Sequence, residues 1–130
     1  MNSYVSDTMA LILRLEERKM PKKVKHIFEQ TENALAKIYI PSIVFSELAY
    51  LAEKGRIETS LKEAEHYLNT YPSFQDLPLT FSLVQSAFTI DDIPELHDRL
   101  ISGGGKMLNI PIITNDPDMQ KSIHVQALWK

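Results

Sequence analysis

The stretch Ile110-Pro111-Ile112-Ile113-Thr114-Asn115-Asp116 decides the fold. Pro111 to Thr114 is the clearest buried strand in the chain, a short apolar run bounded by turn formers, as expected of a strand covered on both faces. With one residue between, the acid Asp116 follows it. The amino terminus repeats the arrangement: Tyr4-Val5-Ser6 reads as a strand, and Asp7 follows it directly. If both strands are parallel members of one sheet, both carboxylates leave at its carboxyl edge. Open α/β sheets bind their ligands at that edge.

Outward from these two strands the chain alternates short β-like runs with longer helical ones. Thr8 to Arg18 is helical, with Leu11, Ile12 and Leu15 on one side. Pro21 opens a second helix reaching about Asn33, since proline suits a first helical turn. Lys37 to Ile40 is a strand closed by Pro41. Ser42 caps a helix from Ile43 to Lys54, ended by Gly55. Ser60 to Leu68 is helical, Pro72 to Pro78 a loop, Leu79 to Phe81 a brief strand, and Leu83 to Phe88 a helix. Pro94 opens a helix toward Leu108, and Val125 to Trp129 is a last strand. Strands separated by helices require crossovers, hence an α/β fold, a three-layer α/β/α sandwich around a central parallel sheet. No internal repeat or linker is visible, so residues 1–130 are expected to form one domain.

Composition narrows the function. In 130 residues, 44% are hydrophobic and 24% charged, which suits a globular chain with a real core. The absence of cysteine removes disulfides, thiolate metal sites and a cysteine nucleophile. The apolar run from Met9 to Leu15 is preceded by Asp7 and interrupted by Arg14, unlike a secretory signal. The expectation is a soluble cytoplasmic protein with no membrane partner. The net charge of −3, from 17 acids against 14 bases, excludes a basic nucleic-acid coat protein.

Where the acids fall matters more than their sum. Asp7 also fits a helix N-cap, and Asp116 lies in a run of turn formers. Glu47 stands four residues after Ile43 and four before Leu51, flanked by Val44 and Leu48, which puts a carboxylate on the apolar side of its helix. An unpaired buried carboxylate is costly. Asp98, in His97-Asp98-Arg99-Leu100-Ile101, lies in the first turns of its helix, where the dipole favours an acid. Each has an ordinary explanation alone. Together, at two strand ends and on two helices, Asp7, Glu47, Asp98 and Asp116 suit a hard divalent cation, Mg²⁺ or Mn²⁺, which takes oxygen ligands.

The ordered set resembles the PIN-domain ribonucleases, especially the VapC-type toxins of toxin–antitoxin pairs. Ser6-Asp7-Thr8-Met9-Ala10-Leu11-Ile12 is similar to the opening strand and helix of that family. Pro41-Ser42-Ile43-Val44-Phe45-Ser46-Glu47-Leu48 resembles its second motif, the stretch around Asp98 its third, and Ile110 to Asp116 its fourth. The resemblance implies metal-dependent endoribonuclease activity, with Asp7, Glu47, Asp98 and Asp116 as catalytic and metal-holding acids. It implies that Thr8 and Thr114 support the carboxylates by hydrogen bonds, with Asp118 as an outer ligand through water. It further implies an RNA substrate, an antitoxin partner and a homodimer.

One departure is Ser102-Gly103-Gly104-Gly105-Lys106, where the family has an alanine- or threonine-rich helix. Each glycine within a helix costs about 1 kcal/mol relative to alanine, so the run either unwinds the helix behind Asp98 or lets it pack closely. It lacks the first glycine and the Ser/Thr of a phosphate loop. Around Pro21, Arg18, Lys19, Lys22, Lys23 and Lys25 form a solvated basic face or an RNA-contacting rim. Tyr71, Phe74 and Phe81 are available for base stacking or for the core. The four histidines show no metal-ligand spacing; His97 can touch the site through its neighbour Asp98 or serve in the core or at the surface. A non-catalytic PIN-fold module binding RNA or protein is the alternative function. An aspartyl-phosphate phosphatase lacks its second acid at Met9, and a receiver domain its paired acids after the first strand. With the four acids set aside, the rest of the chain sums to +1, so a metal-loaded ribonuclease survives the charge argument.

Overall fold

The computed structural model describes residues 1–130. Five parallel strands, β1 (Asn2–Ser6), β2 (Ala36–Pro41), β3 (Phe74–Leu77), β4 (Ile112–Ile113) and β5 (Ala127–Leu128), lie in the order β3-β2-β1-β4-β5. Seven helices connect them: α1 (Thr8–Leu15), α2 (Lys22–Glu32), α3 (Ser42–Glu53), α4 (Leu61–Thr70), α5 (Phe81–Ala87), α6 (Leu96–Leu108) and α7 (Pro117–Lys121). The chain winds outward from β1 through β2 to β3, then returns to the other side of β1 for β4 and β5. The reversal falls between β1 and β4, whose register pairs Val5 with Ile112 and Ser6 with Ile113. Crossovers leaving in opposite directions cover both faces of the sheet, giving the expected three layers. Val5, Ile38, Ile40, Ile112 and Ile113 are fully buried, packed among Leu11, Ile12, Phe28, Val44, Leu48 and Ile101 from the helices.

Several element boundaries differ from the sequence reading. α1 stops at Leu15, with Glu17 in the left-handed region at φ 53°. Pro21 and Pro41 precede their helices as extended N-caps, and Ser42 is already helical. Its hydroxyl donates instead to the Leu77 carbonyl at 3.3 Å. Ser60 caps α4 reciprocally with Glu63. The segment from Pro72 to Pro78, read as a loop, contains β3. This strand lies at the edge of the sheet, and its central residues Gln75 and Asp76 are exposed, so it lacks the apolar alternation of a central strand. Leu79 to Phe81 forms no strand, because the Thr80 hydroxyl accepts from Leu83 N at 3.2 Å and starts α5. The turn-forming residues after β4 start α7: Asp116 is its N-cap and Pro117 its first residue.

The glycine run leaves α6 unbroken from Leu96 to Leu108. A Cβ at Gly103 would stand 2.6 Å from the Ala87 Cβ, one at Gly104 2.8 Å from Leu77 Cδ2, and one at Gly105 2.6 Å from Ile112 Cγ1. Successive helical residues point about 100° apart, so the three face α5, the end of β3 and β4 in turn. Each glycine makes room for a different neighbour. The helix is hemmed in on those sides, and close packing offsets the intrinsic cost of glycine. No helix is long and apolar enough to cross a membrane.

Candidate active site

Asp7 leaves the end of β1 and caps α1. Its Oδ1 accepts from Ala10 N at 2.8 Å, and its own N–H donates to the Ile113 carbonyl of β4 at 3.1 Å. The cap and the sheet therefore fix both ends of the residue, which is only 8% exposed. The helix-cap reading of Asp7 holds, and the same geometry leaves the residue at the strand-order reversal. On the far side of that reversal Asp116 does the same for α7, its Oδ2 accepting from Met119 N at 3.0 Å. The fully buried Thr114 accepts from Asp116 N at 3.1 Å, fixing the turn between strand and acid.

Glu47 and Asp98 come from helices on opposite faces of the sheet. The Thr8 hydroxyl donates to Glu47 Oε1 at 2.5 Å, tying α3 to the start of α1. Glu47 stands beside the buried Val44 and Leu48, at the rim of the apolar face, with its side chain 29% exposed. Asp98 lies in the first turn of α6, where its N–H donates to Oε1 of the N-cap Glu95 at 3.0 Å.

Two of the acids, Asp7 and Asp98, are raised in part by the others beside them. Burial pushes the Asp7 carboxyl up to about 6; the Thr114 hydroxyl and Ala10 N–H oppose the rise, and Asp116 and Glu47 add to it. Burial also pushes Asp98 up, to about 7, followed by repulsion from Asp116, Glu95, Glu47 and Asp7. No lysine or arginine forms an ion pair with any of the four. A like-charged group without its counter-charge is chemically unfinished. Oxygen-only donors under mutual repulsion fit a hard divalent cation, which binds carboxylates and relieves that repulsion.

Sequence reasoning missed Glu95 and saw His97 only as the neighbour of Asp98. Glu95 adds a fifth carboxylate beside Asp98. His97 Nδ1 lies 3.0 Å from Glu95 Oε2 and 3.7 Å from Glu47 Oε2, so it bridges two acids that sequence places 48 positions apart. The one local signal is that Glu95 opens the helix carrying Asp98. The other expected residues are exposed or part of the core. Asp118 is exposed in the first turn of α7. Lys22, Lys23 and Lys25 are exposed on the first turn of α2 and form no ion pair. Phe74 is core, stacked on Phe28 with centroids 5.8 Å apart, and Phe81 is exposed.

A second group, Asp91, Asp92 and His124, places its ligand atoms within 4.8 Å of one another. It lies by the entry to β5, at the opposite edge of the parallel sheet from Asp7. Its atoms are already engaged. His124 Nε2 is 2.8 Å from Asp91 Oδ1, while Asp92 accepts from the Ser122 hydroxyl and Ile123 N at 2.8 and 2.9 Å. The group clamps the β5 approach to the loop before α6, across 33 positions in sequence, a separation that local spacing cannot reveal.

Comparison with known proteins follows the same lines. The family model described as the PIN domain matches residues 4–123. No curated protein matches the chain. Among solved structures, VapBC2 from Rickettsia felis bound to a DNA fragment from its promoter is similar, with TM-score 0.74, 16% identity and coverage of 98% of this chain and 99% of that one. DNA-bound VapBC from Salmonella typhimurium gives 0.71 and 18%, covering 98% of both chains. A toxin–antitoxin complex from Klebsiella pneumoniae gives 0.64 and 14%, covering 94% of both. At such identities the likeness is one of fold.

Proposed function

The chain belongs to the PIN-domain family, and from that premise we propose that it is a metal-dependent endoribonuclease, the toxin of a type II toxin–antitoxin pair. The observation that carries this reading is the meeting of Asp7, Glu47, Asp98 and Asp116 at the strand-order reversal, with Asp7 and Asp98 pushed up to about 6 and about 7. The four carboxylates would hold one or two Mg²⁺ or Mn²⁺ ions. A divalent cation bound there lowers the pKa of water and offsets phosphate charge.

The chain's own contribution is positioning. Asp7 and Asp116 are fixed by the N-termini they cap, so they need little reordering to receive substrate. Thr8 holds one oxygen of Glu47 and leaves Oε2 on the His97 side. Thr114 stiffens the turn that presents Asp116. Asp98, pushed up to about 7 by burial and its acidic neighbours in the metal-free protein, would be drawn back down by a bound cation, which makes it a strong candidate to hold one. The exposed lysines of α2 supply a phosphate-contacting rim for RNA. Support for an antitoxin partner comes from the complexes in which the structural relatives were solved. The test is cleavage of single-stranded RNA with Mn²⁺ or Mg²⁺, by the parent and by Asp7→Asn and Asp98→Asn. Metal-dependent cleavage lost in both variants supports the reading; equal cleavage by parent and variants overturns it.

A further inference from the structure

α3 carries two apolar stripes. Val44 and Leu48 face the core and are fully buried. The second stripe, Ile43, Glu47, Tyr50 and Leu51, recurs at helical spacing on a partly open side. With Ser46 and with His97 from α6, it lines a pocket of about 520 Å³ that uses Glu47 as one wall. A cluster acid therefore forms the boundary between the proposed cleavage centre and an apolar recess.

Two rings border this recess with substantial exposure: Tyr50 is 56% exposed, and the His97 side chain 45%. Lys54, one turn beyond Tyr50, places its Nζ 5.4 Å from the Tyr50 ring centroid. Lys54 thus rests against the exposed Tyr50 ring beside an apolar floor, and its flexible stem lets it swing from the ring to a phosphate when a base stacks there. An exposed phenol ring, a nearby imidazole and a cation at the rim match the needs of an unstacked nucleotide. The base stacks on the aromatic, its edge meets polar groups, and the adjoining phosphate meets the cation.

We propose that this pocket is a nucleobase subsite that receives, unpaired, the base of the nucleotide flanking the scissile phosphate. The inference rests on the ribonuclease reading. Tyr50 provides the stacking surface and Lys54 meets the next phosphate. Ser46, whose hydroxyl donates to the Ser42 carbonyl at 3.4 Å and keeps lone pairs to accept, and His97 line the pocket beside the base. Because Glu47 belongs to both cleft and pocket, the pocket adjoins the acids that would hold the phosphate. The pocket makes the enzyme selective for single-stranded RNA, since a paired base cannot enter it. Its shape supplies a preference among bases at that position.

The test uses the full chain with Mn²⁺, short single-stranded RNAs, and matched RNAs with an abasic nucleotide on either side of the cleaved bond. Tyr50→Ala is expected to lower kcat/KM on intact RNA about tenfold, mainly through KM, the scale of one lost base stack. Tyr50→Phe keeps the ring and should stay near the parent. The parent should lose a similar factor on one of the two abasic substrates, and Tyr50→Ala should not distinguish that substrate from intact RNA. Lys54→Ala should weaken binding and reduce the salt dependence by about one phosphate contact. Equal abasic discrimination by parent and Tyr50→Ala overturns the subsite. A 2-aminopurine oligonucleotide separates the two levels of the reading. Quenching by the parent that Tyr50→Ala abolishes supports the pocket even if no cleavage occurs, in which case the ribonuclease reading alone fails. No quenching by the parent overturns the pocket even if the RNA is cleaved. Dissociation of a dimer by Tyr50→Ala in analytical ultracentrifugation, with abasic discrimination unchanged, assigns this face to a second copy of the chain and overturns the proposal.

Discussion

Two groups of buried or half-buried carboxylates in this protein have opposite electrostatic designs. Between α1, α2 and α4, Arg14 grips Glu32 with two parallel bonds of 2.9 and 2.7 Å, and the Tyr67 hydroxyl donates to the same carboxylate. Burial alone would raise the Glu32 pKa, but Arg14 and Tyr67 hold it below the usual carboxylate value, and the glutamate in turn pushes the Arg14 pKa up. At the carboxyl edge of the sheet, burial also raises Asp7 and Asp98, but their neighbours are acids, and both rise further. A structural acid arrives with its cation in the same chain. The acids at the edge have no lysine or arginine partner, only His97 beside Glu47, so they carry an energetic cost that a bound cation or a proton relieves.

Replacing an edge acid should affect activity most. Asp7→Asn and Asp98→Asn are expected to cut RNA cleavage by at least about 100-fold, while their metal-free melting temperatures at pH 8 equal or exceed the parent's. A fall in both activity and stability would make these acids structural, like Glu32, and erase the contrast.

The pH dependence comes next. In the unfolded chain Asp7 and Asp98 titrate near 3.8, and in the metal-free folded state near about 6 and about 7. The folded state therefore holds more protons across this interval, so stability falls as pH rises from about 4 to about 7. Asp7 alone contributes about 3 kcal/mol to that fall, from a shift of about two units. Glu16, Glu32, Asp92 and Glu95 are held below their usual values and lose their stabilising effect only at more acid pH. Calorimetry without metal should show a lower melting temperature at pH 8 than at pH 5.5. Millimolar Mn²⁺ should raise the pH 8 value in the parent and less in Asp7→Asn. A flat profile, or no Mn²⁺ response in the parent, would break the comparison.

The compensated group should behave in reverse. Arg14→Met removes the Glu32 counter-charge and is expected to cost about 2 kcal/mol, less than a fully buried pair because both side chains retain some exposure. Urea unfolding would measure that loss, while cleavage per folded molecule should stay near the parent's. The smallest effect is expected at the surface. Lys22→Glu with Lys23→Glu should weaken RNA binding several-fold and flatten its salt dependence without moving the melting temperature. An unchanged salt slope would remove α2 from the RNA path.

How much of this was legible in the sequence depended on how local the signal was. Asp7 and Asp116 were placed correctly at strand ends because each follows an apolar run directly or after one residue, and their capping roles use the same side chains. Glu47 was legible as an acid beside an apolar stripe. The sequence did not show that Thr8 would hold it, nor that it divides the core face of α3 from a second, open one. β3 was hidden because an edge strand needs little apolar alternation. α7 was hidden because its cap and Pro117 are also turn residues. The glycine run admitted two readings, and only the positions of Ala87, Leu77 and Ile112 decided for close packing.

The sequence by itself determined the alternation of strands and helices, the two acids at strand ends and the absence of a cysteine-based chemistry, since these follow from local pattern and composition. Tertiary structure decided the rest: which strands are neighbours, that Glu47 and Asp98 converge on Asp7 from opposite faces, that His97 and Glu95 join them, and that Glu32 is neutralised while the edge acids are not. The physical reason is range. Hydrophobic period and capping act within one or two helical turns and are written in consecutive residues. Coulomb repulsion and burial depend on distance in space, which a parallel sheet sets by bringing together residues more than a hundred positions apart, as it does for Asp7 and Asp116.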